Sequence, residues 1–211
     1  MEKGKDLQTK ISYYLAEQSG KDQEVLLFGL RLITTTIIGY FLLIIFSAPF
    51  RATWQTLVVA LTVSCFRIIS GGAHATAQIR CSLIGVMILV PLGILARYGY
   101  SLINPSIPLL LVVILVLGLR VVYIYVPADT PGKPIKSAVQ KRYLRGLSYT
   151  IFLIWLLSIC MCYKNNIGLD QGFVLASILG MYWQIYTLTP AGYTTFKILD
   201  GFLKIIIGER R

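Results

Sequence analysis

The sequence predicts an all-α, polytopic membrane protein, with six transmembrane helices between N- and C-terminal amphipathic interfacial helices. Three observations predict it. The 211 residues are 56% hydrophobic and only 14% charged, with a mean hydropathy of +0.71, which is too apolar for an ordinary soluble domain. Six runs, at 32–50, 52–66, 81–96, 98–119, 146–163 and 171–196, contain no Asp, Glu, Lys, Arg or His. The basic residues fall mainly in alternate loops between those runs, the pattern that orients membrane helices.

Taken in order, the first 24 residues carry nine charges and no apolar stretch, so a cleavable signal peptide is not expected. This N-terminal segment, 1–24, is weakly amphipathic through Leu7, Ile11, Tyr14 and Leu15. The first span, about 25–46 with its entry turn, then acts as its own insertion signal. A bilayer core of ~30 Å needs ~20 helical residues, so the second and third runs, at 15 and 16 residues, predict short spans. The six-helix core covers 25–190, and nothing marks a second domain or an internal repeat. In the tail, 191–211, the apolar Phe196, Leu199, Phe202, Leu203, Ile206 and Ile207 recur at helical spacing from Tyr193. Lys197, Asp200 and Lys204 are expected on the opposite, wetted face. A packed or partner-docking helix is the alternative for both tails.

The formal charge of +11 does not indicate nucleic acid once the charges are placed. With the N-terminus assigned to the cytoplasm, fifteen Lys and Arg fall on inside segments, and only Arg51, Arg97 and Lys164 fall on outside loops. Arg31 and Arg120 lie near inner span ends. Both termini are therefore expected inside, with some attraction to anionic headgroups as a secondary effect.

That orientation puts the stretch RIISGGAHATAQIRC, 67–81, at the cytoplasmic face between the second and third spans. It holds His74, the sole histidine, and Cys81 seven positions later. On one unbroken helix those residues would stand ~10.5 Å apart along the axis, too far to react. A contact requires a break, and Gly71-Gly72 supplies residues that accept it. His74 is then expected on the connecting loop and Cys81 on the first turn of the next helix. There the helix dipole and neighbouring Arg80 favour a thiolate, and an imidazole serves as imidazolium partner or as base. Each residue alone reads as bland: a small buried hydrophobe and a solvated loop histidine. Their joint placement makes them candidates for nucleophile and general base. Gln78 or a main-chain carbonyl is a candidate to orient the histidine. Cys65, Cys160 and Cys162 read as apolar filling, and no paired spacing suggests a metal site.

The segment GGAHATAQIRC resembles the signature of the accessory gene regulator B (AgrB) family, membrane endopeptidases of bacterial peptide quorum sensing. A second segment, VPADTPGKPI at 126–135, is similar to that family's proline-rich, Lys-containing loop, and the basic cluster after it also fits. The resemblance runs over about 25–190. It implies a cysteine endopeptidase in the bacterial cytoplasmic membrane, without cofactor, in which Cys81 is the nucleophile and His74 the base. It implies as substrate an amphipathic, AgrD-like propeptide with an acidic tail. The peptide passes through a thioester on the enzyme and leaves as a cyclic thiolactone, and a homodimer is implied as well. On this reading Lys133, Lys136, Lys141, Arg142 and Arg145 are candidates to hold the acidic tail, though as orientation charges they need no such role. Arg67 and Arg80 are candidates to steady the thiolate or an oxyanion, under the same alternative. Asp129 is a candidate partner for His74 and equally a cap of the Asp129-Thr-Pro-Gly turn. The competing readings are non-enzymatic: a six-helix peptide transporter, or a membrane protein that docks the propeptide without cutting it.

Overall fold

The computed structural model describes residues 7–128, 137–167 and 172–207, and within them every regular element is helical. Eight α-helices follow in order: α1 Leu7–Ser19, α2 Gln23–Ser47, α3 Thr53–Ser70, α4 Gln78–Ile103, α5 Ile107–Tyr125, α6 Ala138–Lys164, α7 Phe173–Thr187 and α8 Pro190–Ile207. Asp22 caps α2 by accepting the Glu24 N–H at 2.9 Å. By length and composition α2, α3, α6 and the helical stretch Gln78–Tyr125, formed by α4 and α5 around a 3₁₀ turn, suffice to cross a bilayer, while α7 is apolar but shorter. This is the build of a multi-pass membrane protein.

Helix ends depart from the predicted runs in two ways. The runs expected to give short spans belong to helices of 18 and 26 residues. An arginine interrupts hydropathy but not helical hydrogen bonding, so α3 continues through Arg67 and α4 through Arg97. The run 171–196, predicted as one span, is divided: α7 stops at Thr187 and α8 starts at Pro190. Proline disfavours helical backbone at the residue before it. Gly192 then lets the chain fold back so closely that a Cβ there would meet the Tyr186 carbonyl oxygen at 2.3 Å.

Helices α3 and α7 form the centre, each packing on the other and on α4 and α6. Ten of the fifteen α7 residues are buried. The 25-residue α2 buries only Leu43 and Ser47 and turns Phe28, Ile33, Ile37 and Phe41 outward. So continuous an apolar surface is stable in lipid and not in water. In lipid, burying apolar groups drives helix association weakly, so close packing and hydrogen bonds carry more of it. Ser177 receives a hydrogen bond from Trp155 Nε1 and shares one with Thr62 Oγ1, both at 2.9 Å, joining α6, α7 and α3. Tyr40 donates from α2 to Ser64 on α3 at 3.0 Å. At the α3–α4 crossing, a Cβ on Gly93 would lie 2.1 Å from Thr56 Oγ1 and 2.7 Å from its backbone nitrogen. Gly93→Ala is therefore expected to force the helices apart and lower stability by about 1–3 kcal/mol, the usual range for overpacking, measurable by thermal unfolding in detergent.

Candidate active site

Ser70 ends α3, and the chain reverses through Gly71 (φ 76°, ψ −150°) and Gly72 (φ 139°). Side chains are disfavoured there by backbone angle and also by space. A Cβ on Gly71 would come within 2.6 Å of the Ala128 carbonyl oxygen, and one on Gly72 within 3.0 Å of Thr187 Oγ1. The turn is hydrogen-bonded on both sides. Gln184 Nε2 donates to Ser70 Oγ at 3.2 Å and to the Gly71 carbonyl at 2.9 Å. The Ala73 N–H donates to the Thr187 carbonyl at 3.0 Å, and the Ala128 N–H to the Ser70 carbonyl at 2.9 Å.

The predicted break between the second and third runs is therefore present, and it brings the two candidate residues together. Cys81 is the fourth residue of α4, its N–H bonded to the Ala77 carbonyl at 3.0 Å, so it lies on the positive first turn. His74 Nδ1 faces its Sγ at 3.9 Å. Such a separation is loose for proton transfer, as catalytic pairs are before substrate tightens them. The ring opens on a cleft of about 330 Å³ that is also lined by Thr76, Tyr193, Thr194, Lys197 and Asp200. Protein packed around the remainder of the imidazole, then the Arg67 charge, lower its pKa from 6.5 to about 4. At neutral pH His74 is thus uncharged and suited to accept a proton rather than to pair as imidazolium.

Of the other sequence candidates, Arg67 is closest to this chemistry. Its Nη2 donates to the Ala73 carbonyl, its guanidinium lies over the Phe196 ring at 5.6 Å, and its charge acts on both His74 and Cys81. Arg80 is turned elsewhere. It is 3% exposed, and its Nε donates to Asp200 Oδ1 at 2.7 Å while Nη2 donates to Thr76 Oγ1 at 2.7 Å. Gln78 Oε1 accepts from Thr35 on α2 at 3.1 Å and faces the cleft between α1 and α2 rather than the one beside His74. Lys141 and Arg142 are exposed on the first turns of α6, whereas Arg145 Nε donates to the Val126 carbonyl at 2.7 Å. Asp129, Lys133 and Lys136 lie outside the described residues.

Sequence reasoning missed Thr76, Gln184, Thr187 and Asp200. Gln184 had a signal, as an amide side chain inside a long uncharged run. Asp200 had a misleading one: helical periodicity placed it on the wetted face, but it is 5% exposed, on the same face as Phe196 and Leu203. Burial there would raise its pKa, but hydrogen bonds from Thr76 and Arg80 and the Arg80 charge prevail and hold the carboxyl below its usual range.

The accessory gene regulator B family matches residues 8–188. The chain belongs to the AgrB family. Two AgrB-like proteins of Clostridium perfringens are similar to it over 186 residues, spanning 85% of this chain and 87% of theirs. The one from strain SM101 is 31% identical and the one from strain 13 is 30% identical. No solved structure matches the chain. AgrB membership supports a role in the agr quorum-sensing system and an AgrD-like propeptide as partner. The match contains the Gly-Gly turn, His74 and Cys81, and it ends before α8.

Proposed function

We propose that the protein is a membrane cysteine endopeptidase that cuts an AgrD-like propeptide and releases a cyclic thiolactone. The observation that carries this reading is the 3.9 Å approach of His74 Nδ1 to Cys81 Sγ across a helix break, in a chain of the AgrB family. Neutral His74 takes the Cys81 proton as the sulfur attacks the scissile carbonyl. The carbon–nitrogen bond breaks, the imidazolium returns the proton to the leaving amine, and the signal region stays on Cys81 as a thioester. A cysteine thiol within the peptide next gives its proton to His74 and attacks the thioester carbonyl. The ring closes, and the Cys81 thiolate leaves and recovers that proton.

One thioester replaces another, so ring closure needs no ATP, but it competes with hydrolysis. A site against the bilayer face limits water and favours the ring. Arg67 supplies positive charge beside the thiolate. Lys141 and Arg142, exposed on α6, with Lys133 and Lys136, offer charge to an acidic propeptide tail. Six membrane crossings with both termini and the site on the cytoplasmic side follow from the distribution of Lys and Arg. The amphipathic ends and self-association belong to the same reading.

Co-expression with a propeptide encoded beside the gene, followed by mass spectrometry, tests this. The wild type is expected to release a peptide one water lighter than its linear form, and Cys81→Ser to yield none. Undiminished cleavage by Cys81→Ser and His74→Ala would overturn the dyad. Peptide exported uncut would favour the transporter reading.

A further inference from the structure

We infer that α8 is a working part of this site, with Asp200 as a positioning residue that sets Cys81 and His74 relative to each other by holding Arg80 and Thr76. The inference rests on the endopeptidase reading for its kinetic readout. Its geometry is a closed triangle. Asp200 Oδ1 accepts from Arg80 Nε at 2.7 Å, Asp200 Oδ2 accepts from Thr76 Oγ1 at 2.6 Å, and that same hydroxyl oxygen accepts from Arg80 Nη2 at 2.7 Å. Thr76 is two residues after His74, and Arg80 immediately precedes Cys81. One carboxylate thus clamps both ends of the segment that carries the dyad.

The ion pair of the clamp is buried, with Asp200 5% and Arg80 3% exposed, while Thr76 is exposed at the cleft beside His74. A small apolar cluster supports it: Phe196 and Leu203 of α8 pack with Ala73 and Ile84, and the partly buried Cys81 lies against them. Phe196 is also the ring beneath the Arg67 guanidinium. Helix α8 therefore bears on Arg67, on the loop next to His74 and on the first turn next to Cys81. A buried ion pair is a poor way to gain stability, since well-packed apolar residues of similar volume often serve as well or better. What the pair adds is direction, because two carboxylate oxygens meet two different donors at fixed angles. This element lies beyond the segment 8–188 that the family matches.

The test uses the full chain in membranes with co-expressed propeptide, and two variants. Asp200→Asn keeps the shape and removes the charge; Arg80→Met with Asp200→Leu leaves no buried charge unpaired. Both are expected to accumulate in the membrane, to lose about 10–100-fold in kcat, as misplacement by about 1 Å does, and to keep KM within about threefold. A second readout needs no propeptide: the iodoacetamide labelling rate of Cys81 relative to Cys65, by mass spectrometry, is expected to fall in both variants. Wild-type kcat in either variant, or failure of both to accumulate, overturns the positioning role. If the wild type cuts no propeptide the endopeptidase reading fails instead. The labelling ratio then decides alone, and an unchanged ratio overturns the clamp.

Discussion

His74→Ala is expected to slow propeptide cleavage by about 10²–10⁴-fold, the contribution of a positioned general base, without removing the protein from the membrane. The imidazole opens on a cleft and packs no core, so its loss should cost activity rather than folding. The pH profile provides the sharper measurement. On the proposed mechanism His74 acts in its neutral form, and protein packing followed by the Arg67 charge lowers its pKa from 6.5 to about 4. As pH falls, turnover in proteoliposomes should therefore persist through the ordinary histidine range and decline only near the lowered value. Arg67→Gln removes the second of those causes and is expected to move the acid limb upward. An acid limb at the ordinary histidine value in the wild type would show that the ring is not held where the structure places it.

Gly71→Val is expected to cost at least about 10² in cleavage rate, since displacement of reacting groups by about 1 Å has that effect. A β-branched residue at φ 76° is strained by about 1–3 kcal/mol, and its Cβ would press to within 2.6 Å of the Ala128 carbonyl oxygen. Relief requires the turn to open, which breaks the Ala128 N–H bond to Ser70 and the Gln184 bond to Gly71. His74 and Cys81 then separate toward the two-turn spacing of a continuous helix. Comparing the cleavage rate with the amount of variant in membranes measures this. A variant that accumulates and cuts at the wild-type rate would mean that the break does not depend on the glycine.

Much of this was legible in the chain. Long uncharged runs show where helices can lie in lipid, because each charge left in hydrocarbon is costly. Gly71-Gly72 shows where a helix must stop, and the seven-residue spacing shows that a stop is needed for His74 to reach Cys81. Helix ends were less legible, because hydropathy registers charge whereas a helix ends by hydrogen bonding and close packing. Arg67 lies inside α3, and the uncharged run 171–196 breaks at Pro190. Asp200 was misread because periodicity tells only that residues share a face, not whether that face meets water or another helix.

The sequence by itself determined the class of solvent, the family and the position of the chain reversal, and it singled out the two residues that we propose react. These depend on composition, local backbone freedom and motif spacing, all properties of neighbouring residues. The tertiary structure decided what surrounds those two residues. Arg67 is directed to Ala73 and Phe196, Arg80 to Asp200 and Thr76, and Gln78 away to Thr35. Those choices depend on which helices lie side by side. Thr76 and Asp200 are 124 positions apart and meet only because α8 folds back over the first turn of α4.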